Sequence, residues 1–181
     1  LREPDSEQLR FDRFRYQRQD PAGLGRGVVV SLYQNSDGTL WFGTETGAAR
    51  FDPTTEKFQN FPSGQNGGTA GNVGPGVVRD IETTPDGMVW VFTGSRLLSR
   101  YDGRSLENVA FLNNAATSGG QIYSKLLAVD RMGRLWIGSG NGIGRWSGAG
   151  LVGFGVNDGL NARFIHEALL ASKDGSIWFS D

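Results

Sequence analysis

The sequence lacks cysteine altogether and has one histidine among its 181 residues. The absence of cysteine excludes disulfide bonds, thiolate metal sites and a thiol nucleophile. Basic and acidic side chains nearly balance, 18 against 19, so the charge gives no reason to expect nucleic acid as a partner. No run of about 18 apolar residues occurs, so no segment is predicted to span a membrane. The balanced charge gives no reason to expect contact with an anionic membrane, and no membrane contact is predicted.

Glycine, in contrast, is abundant, with 28 copies, about twice the share found in average proteins. Glycine destabilises helix interiors and is frequent in tight turns. Hydrophobic residues make up 38% of the chain and charged residues 20%, which is typical of a globular protein and not of a disordered one. The composition therefore predicts many short strands joined by many turns.

A six-residue pattern occurs four times: a turn residue, glycine, any residue, an aliphatic residue, tryptophan and an apolar residue. The copies contain the pairs Gly38 and Trp41, Gly87 and Trp90, Gly133 and Trp136, and Gly175 and Trp178. Successive tryptophans are 49, 46 and 42 residues apart. Periods of this length are typical of repeat folds. We interpret these glycines and tryptophans as the structural positions of the repeat.

Each copy predicts a β-hairpin, because glycine between two apolar runs favours a tight turn between antiparallel strands, and in three of the four copies aspartate precedes it. Four short strands within about 40 to 50 residues are typical of a propeller blade. We predict an all-β propeller with three complete four-stranded blades and partial blades at both ends, a fragment of a ring of about seven blades. The predicted divisions are an outer strand and linker at 1–23, blades at 24–65, 66–113 and 114–156, and an incomplete blade at 157–181.

Alignment of the units on their turn glycines gives two columns in the first strand of each blade. One column is aliphatic and suits packing between blades: Leu32, Ile81, Leu127 and Leu169. The column two residues earlier is mostly charged: Val30, Arg79, Lys125 and Glu167. It lies near the start of the innermost strand, where a propeller opens to its central channel. The stretch 164–171 contains good helix formers, but its place in the repeat favours a strand.

Two units resemble a known repeat. The first unit has Asp20-Pro21-Ala22-Gly23-Leu24 followed by Gly38-Thr39-Leu40-Trp41-Phe42-Gly43-Thr44, and the fourth has Asp174-Gly175-Ser176-Ile177-Trp178-Phe179. These segments are similar to two-component regulator propeller repeats, found in the sensor regions of bacterial hybrid histidine kinases and related receptors. The resemblance implies a periplasmic or extracytoplasmic sensor within a membrane-anchored receptor. Residues 92–97 and Met132 depart from the repeat pattern.

The candidate ligand contacts are the polar residues predicted near the channel: Arg79, Lys125, His166 and Glu167. No catalytic residue is predicted, because His166 is the only histidine and has no nucleophile arrangement beside it. No cofactor or metal is predicted either, since the acidic turn residues lack the spacing of calcium ligands. The tryptophans offer surfaces for stacking on sugars, but their recurrence once per blade favours packing between blades.

The sequence favours a non-catalytic sensor propeller that binds a small molecule, with sugars or oligosaccharides as candidate ligands. One alternative is an enzyme similar to streptogramin lyases, whose blades use a comparable aspartate-glycine-aliphatic-tryptophan turn. A second is a protein-interaction scaffold, which fold alone does not exclude. Because an open propeller leaves unpaired strand edges, we also expect the chain to self-associate through them.

Overall fold

The computed structural model describes residues 13–17, 19–20, 23–64, 71–95, 97–111, 126–139, 142–160 and 169–180. Within these ranges the chain forms fourteen strands and a 3-10 turn at Val156–Asp158. The strands are β1 (Val29–Gln34), β2 (Leu40–Thr44), β3 (Gly47–Asp52), β4 (Lys57–Pro62), β5 (Val78–Thr83), β6 (Val89–Thr93), β7 (Leu97–Tyr101), β8 (Leu106–Phe111), β9 (Leu127–Val129), β10 (Leu135–Ser139), β11 (Gly142–Trp146), β12 (Leu151–Phe154), β13 (Leu169–Ala171) and β14 (Ile177–Phe179).

The strands pair in chain order into three four-stranded sheets, β1 to β4, β5 to β8 and β9 to β12. Strands β13 and β14 form a two-stranded sheet. Neighbouring strands within each sheet are antiparallel, and the first strands of consecutive sheets contact each other. Short antiparallel sheets arranged in this way are propeller blades. The predicted all-β blade architecture is confirmed, and Leu169–Ala171 is a strand, as the repeat indicated.

The four repeat units share one register between their first two strands. The aliphatic column pairs with the residue that follows each tryptophan: Leu32 with Phe42, Ile81 with Val91, Leu127 with Ile137, and Leu169 with Phe179. In the three complete sheets, the residue opposite each tryptophan on the third strand is an arginine: Arg50, Arg100 and Arg145. The structure therefore places the four repeat tryptophans at equivalent positions.

The turn between the first two strands explains the repeat glycine. The backbone N–H of Gly38 donates to the carbonyl of Asn35, and Gly38 has a φ of 85°. The same bond and a positive φ recur at the equivalent glycines: Gly87, Gly133 and Gly175. A side chain at this φ is strained, because the left-handed region brings Cβ against the backbone. The turn thus requires glycine whatever residue precedes it.

Each sheet packs against its neighbours through alternate residues of its strands. On β6, Val89 and Val91 join the apolar cluster shared with the first sheet. Trp90 and Phe92 join the cluster shared with the third sheet. Successive side chains of a strand point to opposite faces, so this strand is apolar throughout because both faces are covered. The second sheet is therefore the most completely buried of the described blades.

Aromatic pairs cross the interfaces between sheets. The Trp41 ring lies 5.2 Å from that of Tyr101 in the second sheet and stacks at 5.5 Å on Phe61 of its own sheet. The Trp90 ring lies 5.5 Å from that of Trp146 in the third sheet. Tyr101 and Trp146 are the residues that follow the cross-strand arginines. The repeat tryptophan of one blade thus packs on an aromatic residue at a fixed position of the next blade.

The two ends of the described array differ from this pattern. Leu32 is 66% exposed although the other members of its column are buried, and Trp178 is 64% exposed whereas Trp41 and Trp90 are buried. Among the described residues, no sheet covers Leu32 or Trp178. Trp41 and Trp90 thus lie between two sheets, whereas Trp178 lies in the last sheet of the described array. Self-association through such exposed surfaces stays a prediction.

We expect replacement of Trp90 by alanine to lower the free energy of unfolding by about 3–5 kcal/mol, because it removes a buried ring from the interface between two blades. Trp178→Ala is the matched control, since the same repeat position is exposed there. That control should cost less than about 1 kcal/mol. Urea denaturation followed by tryptophan fluorescence measures both, and equal losses in the two variants would contradict the assigned packing.

Candidate functional site

The start of the inner strand β5 contains a bulge. Val78 pairs with Thr93 and Asp80 pairs with Phe92, so Arg79 is an extra residue without a partner on β6. A bulge bends the strand and redirects the side chain of the inserted residue. The charged column predicted from the sequence therefore passes through a break in the strand ladder at Arg79.

The first sheet has the same bulge at the same place. Val29 pairs with Thr44 and Ser31 pairs with Gly43, which leaves Val30 as the extra residue. Val30 is an apolar side chain and is 43% exposed. Since valine serves at this position in one blade, the bulge itself does not require the charge of Arg79.

Arg79 lies alongside the turn between β6 and β7. A Cβ atom built on Gly94, in that turn, would lie 3.5 Å from Nε of Arg79 and 3.9 Å from its Cγ. The Nε atom is buried and has no hydrogen-bond partner. Gly94 is exposed, and Arg79 as a whole is half-buried. The arginine stem thus passes a glycine at the edge of the sheet where the inner strand begins.

Three of the four predicted ligand contacts fall outside the described residues: Lys125, His166 and Glu167. The described part of the site is therefore Arg79 and the segments around it. Whether the four side chains lie together stays a prediction based on their shared column and on the neighbouring position of His166.

The segments that lead into β1 and β5 are held by polar side chains from the same two positions of each sheet. The hydroxyls of Thr46 and Ser95 donate to the carbonyls of Arg26 and Pro75, respectively. The side chain of Asn60 accepts from the Gly25 N–H at 3.0 Å and donates to the Gly23 carbonyl at 2.9 Å. The equivalent Asn108 donates to the carbonyl of Asn72. These bonds fix the approach to each inner strand.

A cavity of about 220 Å³ lies beside the first of these segments. It is lined by Gly25 and Arg26, by the β2–β3 turn and by Asn60, Phe61 and Pro62 of β4. Its walls are mainly apolar and include no charged side chain apart from Arg26. It offers space for a small group, but few polar atoms converge on it.

Polar side chains also join the inner strands of neighbouring blades. The Ser31 hydroxyl donates to the carbonyl of Val78 at 3.4 Å. In the next blade, the equivalent Asp80 accepts the N–H of Leu127 with Oδ2 at 2.7 Å and that of Ile81 with Oδ1 at 2.9 Å. Asp80 is buried, so these bonds compensate the loss of its hydration. The residue beside Arg79 thus ties the second blade to the third.

The acidic turn residues bind their own backbone. Asp37 accepts the N–H of Thr39 at 2.8 Å, and Asp174 accepts that of Ser176 at 2.9 Å. These backbone hydrogen bonds are the main reason why the pKa of each carboxyl is lowered. The geometry fits turn formation. In the described part of the chain, no group of three metal-ligating side chains occurs.

In the third blade Met132 occupies the position of the turn aspartate, and the carboxylate of Asp130 accepts the hydrogen bonds of the turn instead. Its Oδ1 accepts the backbone N–H of Met132 at 2.9 Å and that of Arg134 at 3.0 Å. Its Oδ2 accepts the indole N–H of Trp136 at 2.8 Å and Nε of Arg134 at 2.6 Å. Burial acts to raise the pKa of this carboxyl, but the bonds from Trp136 and Arg134 outweigh it and the pKa is lowered.

The second blade uses a hydroxyl at the equivalent position. The Thr84 hydroxyl accepts the Trp90 indole N–H at 3.0 Å and itself donates to Asp86 at 2.6 Å. In the first blade Asn35 stands at this position, and the buried indole nitrogen of Trp41 has no hydrogen-bond partner. Sequence reasoning missed these acceptors; their signal is a polar residue six positions before each repeat tryptophan.

Three of the four repeat tryptophans do not present an open ring face on which a sugar could stack. Trp41 and Trp90 are buried. Trp136 is covered by arginine, with the guanidinium carbons of Arg134 and Arg145 at 5.7 Å and 5.8 Å from its ring centroid. Such cation–π contacts occupy the ring face that a sugar would use. Among the described repeat tryptophans, only Trp178 presents an open ring.

Comparison with known families gives a match in the first unit. The family described as "Two component regulator propeller" matches residues 23–46, which run from the lead-in segment through β2 into the following turn. The resemblance deduced from the sequence is thereby confirmed for this repeat. Among curated proteins, none matches the chain by sequence.

Solved structures share the fold. The extracellular domain of a hybrid two-component system from B. thetaiotaomicron aligns with a TM-score of 0.65 and 21% identity over 90% of this chain and 21% of that one. A second such domain from the same organism aligns with a TM-score of 0.65 and 18% identity, over 86% of this chain and 22% of that one. The chain spans about a fifth of the length of these domains.

An enzyme has a similar architecture. Virginiamycin B lyase from Staphylococcus aureus aligns with a TM-score of 0.60 and 17% identity, over 82% of this chain and 47% of the lyase. Identities this low show the propeller fold and not a shared activity. Among the described residues, no helix has the length and hydropathy needed to cross a membrane.

We expect Asn35→Thr to stabilise the first blade by about 1 kcal/mol, because it offers Trp41 the hydroxyl acceptor that Thr84 offers Trp90. Asp37 is available to accept from that hydroxyl, as Asp86 does in the second blade. Thr84→Ala is the converse variant and should destabilise the protein by a similar amount. Thermal denaturation measures both changes, and a loss of stability in Asn35→Thr would show that the two turns are not interchangeable.

We expect Asp130→Asn to lower the free energy of unfolding by about 1–3 kcal/mol at neutral pH, because the carboxylate binds an indole, a guanidinium and two backbone N–H groups. Since the folded-state pKa is lowered, this contribution is complete above the unfolded value of about 4 and is lost as the pH falls through the folded value.

The difference between wild type and Asp130→Asn should therefore shrink in acid, as measured by urea denaturation at a series of pH values. Asp174→Asn is the control for removing a turn carboxylate that is exposed, and its effect should be smaller. A difference that stays constant down to about pH 2 would contradict the role assigned to the ionised carboxylate.

Proposed function

We propose that this chain is part of a non-catalytic, ligand-sensing propeller of a bacterial signalling receptor. The observation that carries the proposal is the match of residues 23–46 to the two-component regulator propeller family, in a chain whose sheets repeat the same blade. The similarity to extracellular domains of hybrid two-component systems supports it at the level of fold. The corresponding location is outside the cytoplasm, within a membrane-anchored receptor.

The ligand is a small molecule bound near the start of the inner strands, with sugars or oligosaccharides as the favoured class. Two features of the structure support this position. The lead-in segments there are fixed by side-chain hydrogen bonds, which preorganises the surface. Arg79 places a guanidinium at the same edge without engaging it in an ion pair with any described residue.

A panel of neutral and acidic oligosaccharides tests the proposal. A ligand that binds only the folded chain raises its melting temperature, by an amount that grows with concentration above Kd. We expect at least one saccharide to raise the melting temperature and to bind in calorimetry with one site. A panel that leaves the melting temperature unchanged throughout would contradict saccharide sensing by these blades.

The fold shared with virginiamycin B lyase supports one competing function, cleavage of a streptogramin antibiotic. The chain has a single histidine, His166, which is the candidate general base for this reaction. Incubation with virginiamycin B, followed by mass spectrometry, distinguishes the two functions. We expect no conversion; cleavage that is lost in His166→Ala would replace the sensor proposal with the lyase.

A further inference from the structure

Arg79 differs from the other half-buried arginines of the described sheets. Arg100 pairs with Glu107 at 3.2 Å, and Arg134 pairs with Asp130. Arg145 lies over the rings of Trp136 and Phe154, and Arg50 donates to the hydroxyl of Thr39. Arg79 has no hydrogen bond or ion pair with any residue that the structure describes, although its Nε is buried.

A buried guanidinium nitrogen without a partner is unfavourable, because its hydration is lost and nothing replaces it. The bulge does not explain the charge, since Val30 fills the equivalent position of the first blade. A side chain at the nearby Gly94 would lie against the arginine, because a Cβ atom there would be in van der Waals contact with Nε at 3.5 Å. Because the described part of the chain supplies no partner, the arrangement is suited to a bound ligand.

The chemistry of that partner follows from the donor. Guanidinium presents N–H groups in a planar fork that matches the two oxygens of a carboxylate, and such bonds are about twice as strong as neutral ones. We propose that Arg79 binds the carboxylate of a small acidic ligand at the start of the inner strand of the second blade. This inference rests on the proposed sensing function and specifies the group that is recognised.

The position suits a receptor. Arg79 is followed by Asp80, whose carboxylate binds the backbone of the third blade. A ligand bound to Arg79 is therefore one residue away from Asp80, which links the second blade to the third. Binding of an anion there restrains the bulge and, through Asp80, the relative position of the two inner strands.

Calorimetry on the whole chain with four probes tests the inference: trigalacturonate, the neutral galactotriose, succinate and acetate. We expect trigalacturonate to bind and galactotriose to bind at least about tenfold more weakly. Arg79→Gln should weaken trigalacturonate binding by about tenfold or more, while Arg79→Lys keeps the charge without the fork and gives a smaller loss. Binding of succinate or acetate as tight as that of trigalacturonate assigns the site to carboxylates in general and not to acidic sugars.

Arg100→Gln is the matched control, because it removes an arginine from a strand of the same sheet that is engaged with Glu107. The melting temperatures of both glutamine variants show whether each remains folded. Unchanged affinity for trigalacturonate in a folded Arg79→Gln would overturn the inference. Equal binding of galactotriose and trigalacturonate, unaffected by Arg79→Gln, would overturn it while leaving saccharide sensing in place. Absence of binding by all four probes would also overturn the assignment of Arg79 to a carboxylate. The proposed sensing of saccharides is then tested separately by the wider panel of oligosaccharides.

Discussion

The structure depends on the packing of one sheet against the next. A four-stranded sheet of this size has two apolar faces, and neither is stable in water unless another blade covers it. The repeat tryptophan packs on an aromatic residue of the next blade in the first two sheets, and the aliphatic column adds to the same interfaces. In the second sheet, where both faces are covered, Trp90, Val91 and Phe92 are all buried. The turns and registers described above serve to bring these surfaces together.

Much of this could be predicted from the sequence. The turn glycines need a positive φ that few other residues tolerate, so they mark the hairpins directly. The aliphatic column fixed the register, because a slip by one residue would turn Ile81 or Leu127 from the interface to the opposite face. The family resemblance followed from the same positions. These features are local or recur at the same offset from the tryptophan in each unit, and a single sequence contains them in full.

Other features depend on partners that are distant in the sequence. The bulge at Arg79 is visible only once the pairing of β5 with β6 is known, since an extra residue leaves no mark in the composition. The exposure of Trp178 depends on what covers its sheet and not on its place in the repeat. Asp130 was missed for a different, local reason. Met132 occupies the usual place of the turn aspartate, and the carboxylate that binds the turn belongs to Asp130, two residues earlier. The sequence therefore predicted that the candidate residues occupy equivalent positions of the inner strands, and the structure supplied the local geometry at Arg79.

The indole acceptors have a consequence for how such chains diverge. Thr84 and Asp130 meet the same requirement with different chemistry, and Asn35 leaves it unmet without loss of the turn. Because the blade is held by its apolar interfaces, the polar residue of each hairpin differs between units while the register of the first two strands stays the same. The family model matches residues 23–46 in the first unit, and the later sheets repeat the register of that unit although their turn residues differ. In this chain the repeat is therefore expressed more consistently in the strand registers than in the residues of the turns.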